Sequence, residues 1–228
     1  MHSNMKKAPG IFTLATIFLT SFLFAIQHAS ASPKCGNVFD AQYGVHDYND
    51  PKFRTPSGRA ISTLKTVERR HFTSKVERLI SGESTKSILA DIDYTLRKFP
   101  NHHRALFSLI KYDKSLNGKL PRGSQDYEQS VQCYFKRALD FRPEDGKTLQ
   151  LFGMYYHLNG KYEKAIQVYS KANEHLPSPE LHYNMGLAYF HVKKYEKSKE
   201  FAQKAYESNY PLMGLRDKLA RVGVELNI

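Results

Sequence analysis

Two consecutive stretches decide the fold: GKTLQLFGMYYHLNGKYEKAIQVYSKANEHLP at residues 146–177 and PELHYNMGLAYFHVKKYEKSKEFAQKAYESNYP at residues 179–211. Laid over one another they match 33 residues apart. Gly153 falls on Gly186, Tyr156 on Tyr189, Lys161 through Ala165 on Lys194 through Ser198, and Ala172 on Ala205. A period of this size marks stacked supersecondary units. Gly153 and Gly186 fall in mid-helix, where glycine costs about 1 kcal/mol against alanine, so a close approach of the second helix must offset them. Ala165 and Ala172 are small for the same reason on the opposing helix, while Tyr156, Tyr162 and Tyr169 fill the spaces between. Pro177 ends the unit. Two helices of about a dozen residues joined at Asn159-Gly160 bury their apolar faces only by stacking on neighbours.

These segments resemble tetratricopeptide repeats. Phe152, Gly153, Tyr156, Ala165, Tyr169, Ala172 and Pro177 sit where that family places a large residue, Gly, Tyr, Ala, an aromatic, Ala and Pro. The second unit keeps Met185, Gly186, Tyr189 and Ala205, with Ser198 for the first Ala and Ala202 for the aromatic. Upstream, Phe135, Ala138 and Pro143 match the second half of a unit, but its first helix is displaced by the 115–124 loop. Asn101 to Pro143 is therefore at best an expanded unit. The motifs running from Asp93 to His103 and from Cys133 to Phe135 are similar to uncharacterised exported bacterial proteins of the same repeat class.

The resemblance implies an all-α, helix-turn-helix solenoid whose concave groove, lined by the first helix of each unit, holds a peptide or helix of another protein. Carried over by position, the groove residues are Lys147, Gln150, Met154, His157 and Leu158, then Tyr183, Leu187, Phe190 and His191. This face is aromatic and apolar with few charges. Capture of a C-terminal carboxylate is not expected, since among these positions only Lys147 supplies a suitable cation. The competing reading is that Tyr183, Leu187 and Phe190 meet another part of this chain, such as the N-terminal arm.

The first 31 residues read as a secretory leader: Lys6 and Lys7, an uncharged apolar run from Ile11 to Ile26, and Ala29-Ser30-Ala31 as a cleavage signal. That places the protein in the periplasm, cut after Ala31; the alternative is an uncleaved anchor. No later segment is apolar enough to span a membrane. Of 34 basic residues, removing Lys6 and Lys7 leaves 32 against 22 acidic, a net charge of +10. Such a surface attracts anionic polymers or lipid head groups. That makes a basic binder of polyanions the second functional reading, with nucleic acid not expected. Cys35 and Cys133 are the only cysteines, and an oxidising compartment favours pairing them. The alternative is one buried and one free thiol.

Residues 32–73 show Gly, Pro, Asp and aromatics without a helical period and read as an irregular arm. Residues 74–143 read as degenerate, repeat-like helices, opened by a capping pattern at Ser74 and Glu77 and again by Ser84. Residues 144–211 hold the two clear units. Over 212–228, Leu215, Leu219 and Val222 opposite Arg216, Lys218 and Arg221 predict a capping helix.

Catalytic chemistry is not expected, and no cofactor or metal. His102 and His103 are adjacent on a helix and point about 100° apart, so together with His71 they make a poor metal set. Asp40, His46, Asp47 and Asp50 lack a calcium-loop spacing, and the aspartates among them read as turn formers. Nucleophile motifs, phosphate loops and zinc-type cysteine pairs are missing, which leaves an enzyme as the third and weakest reading.

Overall fold

Small polar side chains start most of the helices. Ser62, Ser87, Ser130, Asp145 and Ser178 each accept a hydrogen bond from the backbone N–H three residues on, and the His102 ring does the same from Ala105. Such caps satisfy N–H groups that the first turn leaves open. The computed structural model describes residues 35–40, 44–56, 62–121 and 129–226, and the expected leader and its cleavage point lie outside them. Ten α-helices occur among the described residues, with no strand. They are α1 Thr63–His71, α2 Ser74–Glu77, α3 Ile88–Lys98, α4 His103–Ser115, α5 Val131–Phe141, α6 Gly146–Leu158, α7 Tyr162–His175, α8 Pro179–His191, α9 Tyr195–Glu207 and α10 Gly214–Arg221.

The helices α6/α7 and α8/α9 are the two repeat hairpins, and α7 packs on α8 to stack them. One apolar core joins α2 through α6 around Ile92, Leu106, Leu109 and Phe135. A second lies between the hairpins around Tyr169, Leu181 and Met185, and a third seats α10 on α8 and α9. The hairpin turn after α6 puts Gly160 at φ +67°, a conformation glycine adopts freely. The corresponding position after α8 is Lys193 at φ +59°, so the second unit tolerates strain that the first avoids.

Several expectations need correction. The arm ends earlier than residue 73, because 63–71 is helical. That helix buries only Leu64 and Val67, one turn apart, too sparse a stripe to display a period. Ser74 is not the cap of α2: Thr73 occupies that position and sends its hydroxyl to Glu83, while Glu77 turns to Arg104. Ser84 donates to the Arg70 carbonyl, and Ser87 starts α3 instead. At the C-terminus α10 stops at Arg221, leaving Val222 exposed rather than on the buried stripe. The Cys35–Cys133 disulfide is formed.

Candidate partner-binding face

The space the repeat glycines leave is filled differently in the two units. A Cβ on Gly153 would lie 2.3 Å from the Tyr169 ring, so the first unit's glycine admits its own second helix's aromatic. A Cβ on Gly186 would lie 2.5 Å from a Leu215 methyl and 3.3 Å from the Ser198 carbonyl. With Ala202 where the first unit has Tyr169, the second unit leaves a gap, and Leu215 of α10 enters it. Ser198, the residue that breaks the alanine pattern, donates its hydroxyl to the Gly186 carbonyl at 2.8 Å.

This filling decides what the predicted groove residues do. Tyr183 is buried against Tyr206, Tyr210 and Leu215, and Leu187 and Phe190 pack beside it on the same α10 seat. Gln150 is also buried and is held by Lys147, which reaches on to Glu180 at 3.2 Å across the unit boundary. Met154 leans against the first core. The occupant of the Tyr183–Phe190 surface is thus α10. The arm segment 44–56 is held instead by Lys98–His103 on one side and by Arg142 and Asp145 on the other.

What stays outward lies toward the hairpin turns. Leu158 is 46% exposed, and His191 is exposed with its ring stacked on Tyr162 at 4.3 Å. His157 meets both rings edge-on at 5.3 and 5.7 Å. Burial, and then the nearby His191, lowers the His157 pKa to about 4; burial and Lys218 lower that of His191. Both imidazoles are therefore neutral at pH 7, and the cluster is an aromatic surface, not a cationic one.

Sequence reasoning missed the contribution of α4. It has the same 13-residue length as α6 and α8 and starts at a capped residue, as they do. Its outward strip is Arg104, Phe107, Lys111 and Lys114, with Phe107 41% exposed and the Lys111 ammonium 4.8 Å above its ring. Lys114 donates to the Leu158 carbonyl, which brings this strip beside the exposed end of α6. The signal was present as the complement of the apolar stripe Ala105, Leu106, Leu109 and Ile110, but the long loop after residue 115 hid the register.

The histidines and acids of the other motifs are dispersed into separate pairs. His71 bonds Asp91 at 2.8 Å, His102 bonds Glu68 at 3.2 Å and His103 bonds Asp145 at 2.9 Å. Asp47 and Asp50 accept from backbone N–H groups two residues on, as turn formers do. Buried Asn101 ties the arm to the repeats: its carbonyl accepts from the Tyr48 N–H and its amide donates to Asp47 and Asp145. Burial pushes the Asp145 carboxyl upward, but His103, Thr148 and Asn101 outweigh it and hold the pKa at about 2. Beside this node, Asn49, Arg142, Pro143, Glu144 and Asp145 line an open cleft of about 450 Å³.

No helix among the described residues is long and apolar enough to cross a membrane. No curated protein matches the chain. A solved structure of a thermophilic TPR protein from Thermus thermophilus is similar at 16% identity, covering 69% of this chain and 97% of that one, with a TM-score of 0.33. The tetratricopeptide repeat family model matches residues 146–174 and 179–210. Repeats of this family are generally protein-interaction scaffolds and typically non-catalytic. With both hairpins matched and packed as the repeat requires, residues 146–174 and 179–210 are tetratricopeptide repeats.

Proposed function

We propose that the protein is a non-catalytic, exported scaffold in cell-envelope assembly or maintenance, binding a protein partner over the outward face that runs from α4 onto the end of α6. The observation that carries this reading is that α4, which exposes Phe107, is tied by Lys114 to the end of α6, where Leu158 is exposed next to the His157–Tyr162–His191 rings. Contiguous apolar surface rimmed by polar groups marks interaction sites. The disulfide supports an oxidising compartment outside the cytoplasm. Of the predicted groove, Met154, His157, Leu158 and His191 remain candidates for contact, whereas Gln150 and Tyr183 serve the interior.

The test is site-specific photo-crosslinking in intact cells. A photoreactive residue at Phe107 or Leu158 should capture one discrete protein, and one at exposed Lys171 on α7 should not. Equal capture from all three positions, or from none, overturns the reading. A complex that dissolves steeply as salt rises would favour the polyanion binder instead.

A further inference from the structure

The arm segment 44–56 lies as a strap over an unusual seat. Its Tyr48 ring covers the ring of His102 at 4.3 Å, and the Arg54 guanidinium closes over Tyr48 at 4.5 Å. Phe72 meets His102 edge-on at 4.9 Å, and the imidazole has no exposed surface. Its hydrogen bonds fix its protonation state. Nδ1 accepts the N–H of Ala105 and so caps α4, which leaves Nε2 to carry the single proton and donate to Glu68. A second proton at Nδ1 removes the cap and places a cation under an aromatic lid. The strap repeats the device once: His46, whose N–H donates to the Lys98 carbonyl, holds its ring between Phe53 at 4.3 Å and Phe99 at 5.4 Å.

We infer that His102, assisted by His46, makes the strap a pH-sensitive latch, closed over α1, α3 and α4 when both imidazoles are neutral and released when they take up protons. The charged groups facing His102 are Glu68 from α1, Arg104 from α4, Glu77 from α2 through its bond to Arg104, and Arg54 from the strap. Burial lowers the His102 pKa from the ordinary 6.5, Glu68 opposes this and Arg104 adds to it. Facing His46 are Lys98 from α3 and Lys52 from the strap, and burial followed by these two cations lowers its pKa as well. With folded pKa values below 6.5, the closed form binds fewer protons than the open one. Its stability is full above that pH and is lost as pH falls. The carboxylates that also tie the strap do not mimic this. Burial raises Asp47 and Asp145, but their hydrogen bonds hold both below the ordinary carboxylate range, so they stay charged at pH 5.

Hydrogen–deuterium exchange of the full mature chain, corrected for intrinsic rates, tests the latch. Between pH 7.5 and pH 5, protection of the amides of His46, Tyr48 and Phe53 should fall roughly tenfold, while α6 to α9 keep theirs. His102→Asn retains a capping acceptor but cannot titrate, and should remove most of that pH dependence. His46→Phe preserves the ring packing and should remove a smaller part, which also serves if the first variant fails to fold. The latch is overturned by protection that does not change with pH, by an equal loss across α6 to α9, or by variants that keep the full wild-type response.

Discussion

The two halves of the helical body solve the same packing problem by different means. In the repeats, residues 146–210, small side chains make room and large ones enter it: Tyr169 over Gly153, Leu215 over Gly186. In the upstream half, α2 to α5 share an apolar core without that small-to-large pattern, and α1 to α5 are further pinned by polar nodes and a covalent bond. Buried Asp91 accepts from the backbone N–H groups of Glu83 and Thr85 and bonds His71, Asn101 bridges strap to repeats, and Cys35 is joined to Cys133. The difference teaches why one half is periodic in sequence and the other is not. Interdigitation of small and large residues recurs with every unit, whereas a polar node needs particular partners and is built once.

The comparison breaks most readily at the covalent link. Replacing both cysteines, Cys35→Ser with Cys133→Ser, opens a closure of 98 residues. It should cost about 5 kcal/mol on the chain-entropy account, read as a shift of the urea midpoint. A change under about 1 kcal/mol would show that the polar nodes hold the arm unaided. A smaller effect sharpens the repeat side. Gly153→Ala gains about 1 kcal/mol of helix propensity but drives a methyl into a fully buried ring. With overpacking costing about 1–3 kcal/mol, the net should be a loss of about 1 kcal/mol. Gly186→Ala meets a terminal methyl of buried Leu215 rather than a whole ring, and should lose less than Gly153→Ala in the same titration. The reverse order would mean that α10, not the hairpin, sets the repeat's packing.

Much of this was legible beforehand. The spacing of Gly153, Ala165 and Ala172 against Gly186 and Ala205 reports contacts inside one hairpin, so it identified both units and the stack. The capping helix was visible in Leu215 and Leu219. Less could be read of the surface. Position within a unit says which side of a helix a residue occupies, but not what the chain later lays over it. Tyr183, Leu187 and Phe190 were therefore assigned to an open groove that α10 covers. The outward strip of α4 was hidden by the loop that separates it from α5. Nor does sequence show that His102, His103 and His71 each face a separate carboxylate, since Glu68, Asp145 and Asp91 come from three distant positions.

The division between residues that build the face and residues that present it can be measured in one paired experiment: melting temperature and photo-crosslinked capture, recorded side by side for Tyr183→Ala and Leu158→Glu. Tyr183→Ala should cost about 3 kcal/mol as a buried aromatic truncation and lower the melting temperature by several degrees. Leu158→Glu should leave melting within about a degree, as an exposed substitution does, and abolish capture. Loss of capture without a change in melting for Tyr183→Ala, or undiminished capture for Leu158→Glu, would contradict the account.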